Sequence, residues 1–428
     1  MTPAQLYVLA VIGVPLALIG LNRMRVDVGA LMIACLLAVG QYAGLPIFTA
    51  TPDPARAIAA LTGFGQPVTL TLISLFILAG GLEKYGVASW LAGRIIALNG
   101  SSERGLIFSF ALGATVLSLV MNNLAAGALL IPSAIDAARR VRLSPSRLLM
   151  PIAFGTLLGG SATYFTTSNI IVSGLLTVAI PPQTPLNVLS FAGVGGLTAL
   201  IGLAYMGLFA PQFLPARAGL PEVLPQSAIQ TLEIRPAIAL SLITGGAVLI
   251  AILGAPTWLA VFSGVVVALL TGLINSTEAY QWVEWRAIFL IVGMYPASLA
   301  LTSTGIAAAV GQAVVAVSAP LGGLGLAAGV YLSTVALTQV MGGQVTALIT
   351  GPVAIAAAIQ AGVSPQALAV TVALACNCAY LTPFAHAINV VVSEPGAYRF
   401  ADYTRLGVGL TGLSFLALLI GLRLFWGL

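Results

Sequence analysis

Residues Val120–Pro132 read VMNNLAAGALLIP, and residues Val340–Pro352 read VMGGQVTALITGP. Each stretch sets two amide or glycine residues directly after Val-Met, in the middle of a long apolar segment, and each closes on a proline. The two lie 220 residues apart, and the offset holds beyond them: Ser144-Pro145 aligns with Ser364-Pro365, Asn169 with Asn389 and Ser173 with Ser393, without a gap. Five anchored matches at one offset mark an internal repeat.

The composition fixes the solvent of these repeats. Of 428 residues, 59% are hydrophobic and 6% charged, against about 25% charged in a soluble domain. No packing of layers hides that much apolar surface from water, so a soluble enzyme is excluded. The net charge of +5 is basic, but the charges stand singly between apolar runs. They read as markers of the cytoplasmic side and not as a nucleic-acid surface. Cys35, Cys376 and Cys378 make no disulfide framework, and the last two lack neighbouring metal ligands.

Apolar runs suit spans near 5–21, 27–45 and 67–85, an amphipathic stretch at 86–100, interrupted segments at 104–141 and 144–180, and a span at 187–215. A polar stretch, 216–234, reads as a cytoplasmic linker. The order then recurs at 235–254, 257–274, 286–304, 306–318, 324–361, 364–396 and 405–425. If 104–141 and 324–361 are re-entrant hairpins and 144–180 and 364–396 cross as broken helices, threading from an outside N-terminus leaves only Arg56 and Arg423 outside. The other fourteen of the 16 Lys and Arg residues fall inside, the bias that the positive-inside rule requires. Each half then crosses five times, an odd number, so the second copy is inverted. The expected fold is an all-α polytopic membrane protein of two inverted-topology repeats, 1–215 and 235–428, each with a re-entrant hairpin and a broken helix. The expected location is the inner (plasma) membrane, with the N-terminus outside.

Inverted repeats with interrupted helices signal secondary transporters, with the site where the interruptions meet. Backbone freed at membrane depth survives only inside protein or beside a wet cavity. Freed helix N-termini, amides and hydroxyls at such a place suit an anion, which points to Asn122, Asn123, Thr166, Thr167, Ser168, Gly342, Gly343, Thr382, Pro383 and His386. Side-chain oxygens and freed carbonyls suit sodium, which points to Asn122, Gly160, Ser161, Asn169, Gly343, Asn377 and Asn389. His386 is the single histidine, either a buried neutral group or a substrate donor able to titrate near neutral pH. No Asp, Glu, Lys or Arg falls mid-span, where a charge costs about 2.5–3.5 kcal/mol or more. A carboxylate-based proton relay is therefore disfavoured, and no hydrolase motif lies at membrane depth.

These residues also carry a resemblance. LAGGLEKYG at Leu78–Gly86, MNNLAAGALLIP at Met121–Pro132, LSPSRLLMPIAFGTLLGGSATYFTTSNIIVS at Leu143–Ser173 and LTPFAHAINVVVSEPGAYRFADYTRLG at Leu381–Gly407 resemble permeases of the divalent anion–sodium symporter group. This is the solute carrier family 13 type, within the ion transporter superfamily. The resemblance implies a scaffold domain and a mobile transport domain, an elevator mechanism, a homodimer, and sodium at the paired tips and broken-helix loops. Two departures stand out: relatives carry Asn-Thr at each tip, where this chain has Asn122-Asn123-Leu124 and Gly342-Gly343-Gln344.

The expected function is sodium-coupled transport of a small anion, sulfate or a di- or tricarboxylate, with no cofactor beyond the coupling ion. Alternatives are a cation–proton antiporter or metalloid anion exporter of the same superfamily, and a membrane scaffold or receptor without transport.

Overall fold

A computed structural model describes residues 1–20, 23–97, 102–217, 231–318 and 321–428. The described chain is helical without a strand. In order come α1 (Pro3–Gly20), α2 (Val26–Tyr42), a 3-10 segment (Pro54–Gly65), α3 (Pro67–Lys84), α4 (Val87–Ala97), α5 (Glu103–Leu117), α6 (Asn123–Arg140), α7 (Ser146–Ala162), α8 (Thr167–Thr177) and α9 (Ala192–Phe213). The second half has α10 (Ile234–Ile252), α11 (Thr257–Leu270), α12 (Ser276–Trp282), α13 (Trp285–Ser303), α14 (Ile306–Ser318), α15 (Gly322–Met341), α16 (Gly343–Ala361), α17 (Pro365–Asn377), α18 (Ala387–Ser393) and α19 (Phe400–Trp426). Among the described residues, eight helices are long and apolar enough to cross a membrane. This is a polytopic membrane protein.

The apolar runs became helices as their composition requires, with small shifts at the ends. Two elements have no counterpart in the sequence reading, the 3-10 segment at 54–65 and the short helix α12. The latter starts on an Asn275–Glu278 capping box, a local hydrogen-bond device that hydropathy does not register. The last helix begins at Phe400 and not at 405, because Asp402 is not left to solvent. It is 3% exposed and receives Arg217 at 2.6 Å, while Arg217 also donates to the Ala397 carbonyl at 2.9 Å. Arg217, expected in a cytoplasmic linker, is thus a partly buried anchor; most of that linker, 218–230, lies outside the described residues, as do 98–100 of the amphipathic stretch.

Glycines set how closely the central helices approach. A Cβ at Gly155 would strike the Ala111 carbonyl and one at Gly159 the Thr115 carbonyl, so α5 runs alongside α7 in the same direction. Asn123 faces Gly160 and Gly127 lies near Thr156, so α6 runs opposite to α7. Therefore α5 and α6 are antiparallel arms joined at 118–122. In the other half, Gly323 at the start of α15 lies against Val363, just past α16. The two arms turn on Gly342 alone, whose φ of +76° suits a residue without a Cβ. Thus α7 is buried along almost its whole length between α5, α6 and α9.

The closest of these approaches is testable. A Cβ at Gly195 on α9 would penetrate the Ser161 carbonyl, whereas Gly196 has nothing within 4 Å. Gly195→Ala is expected to lower stability by about 1–3 kcal/mol through overpacking, with Gly196→Ala near neutral, read from apparent melting temperatures of the purified protein in detergent.

Candidate functional site

Four helices start where the chain has just been interrupted: α6 at Asn123, α8 at Thr167, α16 at Gly343 and α18 at Ala387. All four starting residues line one cavity of about 1110 Å³. The first amides of a helix have no intrahelical acceptor, and the helix dipole adds partial positive charge there. Asn122 uses its Oδ1 to accept from the Ala125 amide at 2.8 Å, and His386 Nδ1 accepts from the Ile388 amide at 3.3 Å, so these two cap their own helices. Thr166 and Gly342 supply no such cap to α8 and α16. With Nδ1 acting as acceptor, His386 carries its proton on Nε2, which has no partner among the described residues.

The breaks are tied down by asparagine and threonine side chains. In the first half, Asn169 Nδ2 donates to the Gly160 and Thr163 carbonyls at 3.0 and 2.7 Å, and Thr163 Oγ1 donates to the Leu119 carbonyl at 2.9 Å. In the second half, Asn389 Nδ2 donates to the Ala379 and Thr382 carbonyls at 2.7 and 3.2 Å, and Thr382 Oγ1 donates to the Gln339 carbonyl at 2.9 Å. Positions 220 apart therefore do the same work, to within one residue. A lateral bond joins the two: Asn377 Nδ2 donates to Asn169 Oδ1 at 2.9 Å.

Of the residues expected to form the site, Asn122, Asn123, Thr166, Thr167, Ser168, Gly342, Gly343, Asn377, Thr382 and His386 line the cavity. Gly160, Ser161, Asn169, Pro383 and Asn389 do not. Ser161 bonds back to the Leu157 carbonyl at 3.0 Å in its own helix, and the Asn169 and Asn389 amides face carbonyls behind the cavity wall. Gly160 is an acceptor for both Asn169 and Thr166, and a Cβ there would meet Asn123 Oδ1 at 2.6 Å. Asn123 is 3% exposed; Ser118 Oγ donates to its Oδ1 at 2.7 Å, and its Nδ2 has no partner.

The sequence reading missed several lining residues. Gln339 lies one turn before Gly342 and binds the opposite break through the Cys378 carbonyl and the Leu381 amide. Arg23, Arg25, Asp27, Glu284 and Arg286 also face the cavity, from the α1–α2 link and the start of α13. Arg25 and Asp27 pair at 2.7 Å. Burial raises the Glu284 carboxyl above its ordinary value, with Arg286 opposing the shift. Cys376 lines the cavity, whereas Cys378 turns away to the Tyr331 hydroxyl at 3.0 Å.

A polar cavity walled by broken helices, with uncharged residues at the breaks, suits a membrane transporter, and comparison with known proteins agrees. The CitMHS family profile, described as citrate transporter, matches residues 16–375, and the chain belongs to that family. An uncharacterized transporter of Synechocystis is 32% identical over 216 residues, 50% of this chain and 33% of that one. A probable sodium/sulfate cotransporter of Chlamydomonas reinhardtii is 26% identical over 151 residues, 35% of this chain and 17% of that one. These matches span a third or less of the relatives' own length. The fold is shared with the crystal structure of the YdaH transporter of Alcanivorax borkumensis, at a TM-score of 0.65 and 15% identity over 96% of this chain and 98% of that one. The resemblance seen in the sequence thus holds at the level of the ion transporter superfamily, and the family is one of transporters, not of enzymes.

Asn169→Ala would strand the Thr163 carbonyl and take one of two partners from both the Gly160 carbonyl, which keeps Thr166, and the Asn377 amide, which keeps the Ala373 carbonyl. At about 1–3 kcal/mol per buried group left unpaired, a loss on the order of 3 kcal/mol is expected in thermal unfolding. Asn169→Asp, which turns an acceptor toward both carbonyls, is expected to be worse at neutral pH.

Proposed function

We infer that this protein moves a small multivalent anion, a tricarboxylate such as citrate or the smaller sulfate, across the plasma membrane in symport with sodium. The observation that carries this is the convergence of four helix N-termini and uncharged amides and hydroxyls on a single cavity. The residues at the breaks themselves are uncharged, and they stabilise negative charge through dipoles and hydrogen bonds without a fixed counter-charge of their own. The family description supports a carboxylate, and the names of the Chlamydomonas relatives support sodium coupling and sulfate.

The cation is expected against the breaks. Asn389 Oδ1 is fully buried and has no partner, while its Nδ2 is committed to two carbonyls. An orphaned acceptor beside freed carbonyls fits sodium, which takes oxygen ligands. Two inverted repeats, with the N-terminus outside, account for the repeated asparagine and threonine bonds and for the charge bias. In this reading the helical pairs α5–α6 and α15–α16, with the broken helices α7–α8 and α17–α18, form the moving unit of an elevator. Helices α2, α3, α10, α11 and α13 form the scaffold, and two copies associate as a homodimer, as the resemblance implies.

Proteoliposomes should accumulate labelled citrate or sulfate when a sodium gradient is imposed, and Asn123→Ala should reduce the rate by tenfold or more. Uptake indifferent to the gradient would remove the coupling. For topology, in a cysteine-free background Arg56→Cys should react with an impermeant thiol reagent from outside the cell, and Arg139→Cys only after permeabilisation. The reverse pattern would invert the threading.

A further inference from the structure

The cavity is larger than its uncharged wall needs. About 1110 Å³ exceeds the roughly 300–1,000 Å³ of sites that enclose drug-sized ligands, and a small anion at the helix breaks fills only part of it. The remainder lies toward the α1–α2 link and the start of α13. These two regions belong to one wall, because α2 and α13 are in backbone contact where Gly293 meets Ala30.

That wall holds the basic residues of the cavity: Arg23, Arg25 and Arg286. Other cations pair away from it, Lys84 with Glu278, Arg147 with Glu103 and Arg217 with Asp402. Within the wall, Arg25 is neutralised by two bonds to Asp27, at 3.1 and 2.7 Å. Arg23 and Arg286 are exposed, line the cavity and make no ion pair among the described residues, although Arg286 acts on the nearby Glu284 carboxyl. Glu284 is the one further acidic residue lining the cavity. Two guanidinium groups without an ion pair thus line the same cavity as the uncharged helix breaks.

We propose that Arg23 and Arg286 form a separate anion subsite at the mouth of the cavity, which collects a di- or trivalent carboxylate or oxyanion and passes it to the uncharged site at the helix breaks. The proposal rests on the anion reading above and adds a second station to it. Guanidinium forks match carboxylate and sulfate oxygens in pairs, and like-signed charge at the rim of a low-dielectric cleft raises the local concentration of the opposite ion. Its contribution falls as salt screens it, whereas the deeper site, shielded by protein, responds less.

The experiment uses the full chain in neutral detergent, with citrate and sulfate as probes, and reads binding from the rise in apparent melting temperature at low and at 0.3 M-range salt. Wild type should bind citrate more weakly as salt rises. Arg23→Gln with Arg286→Gln should raise the citrate Kd roughly three- to tenfold at low salt and flatten the salt dependence. Arg23→Lys with Arg286→Lys should retain most of the salt dependence, which separates charge from packing. If the Gln pair does not fold, each single Gln variant is read in the same way. A Gln variant with wild-type Kd and wild-type salt dependence overturns the subsite. A Gln variant that binds citrate normally but no longer retains added anionic phospholipid also overturns it, and assigns the arginines to a lipid headgroup. If wild type responds to neither anion at any salt, the anion reading itself falls and the subsite with it.

Discussion

A helix that stops inside a hydrocarbon layer leaves amides and carbonyls that water cannot reach, each costing several kcal/mol if left unpaired. This chain stops helices at two turns, 118–122 and Gly342, and at two breaks, 163–166 and 378–386. The surrounding structure follows from making those stops tolerable. Asn169 and Asn389 stitch the breaks, Thr163 and Thr382 tie each break to the adjoining turn, and Gln339 covers the second break with both ends of its amide. Among the described residues two amide atoms at the breaks and turns stay buried without a partner, Asn123 Nδ2 beside the cavity and Asn389 Oδ1 behind its wall. Stability and function draw on the same groups, so the residues that close the breaks cannot be optimised for packing alone.

The two halves meet this constraint unequally. The first turn presents Asn123, whose amide is buried against Gly160; the second presents Gly342 and Gly343, with no side chain at all. Asn169 Oδ1 is satisfied by Asn377, whereas Asn389 Oδ1 has no partner among the described residues. One half therefore offers a spare donor and the other a spare acceptor. Under the proposed symport an anion would use the donor and a cation the acceptor, each neutralising part of the other's charge in a medium of low dielectric.

Much of this was legible in the sequence, and the reason is local. Asn122-Asn123, Gly342-Gly343 and the Thr-Ser-Asn and Thr-Pro runs interrupt long apolar segments, and an interruption at membrane depth has few structural meanings. Side-chain direction was not legible. Asn169 and Asn389 sit in the interruptions as expected but spend their amides on backbone behind the wall, a choice set by where carbonyls six to ten residues away fall. Arg23, Arg25 and Arg286 flank spans, where basic residues usually only report the cytoplasmic side. That they face one cavity depends on α2 packing against α13, a contact between distant segments. Asp402 broke the apolar run of the last helix because its partner, Arg217, is 185 residues away.

The bond from Asn377 to Asn169 has a bearing on how such a chain could have arisen. The position 220 residues before Asn377 is Leu157, a fully buried aliphatic side chain, which cannot return the bond toward Asn389. The cross-link therefore exists in one direction only. If the chain arose from two copies of one unit related by a two-fold axis, that dimer would have had either both links or neither, so the one-way bond would postdate the joining and leave the two segments no longer interchangeable.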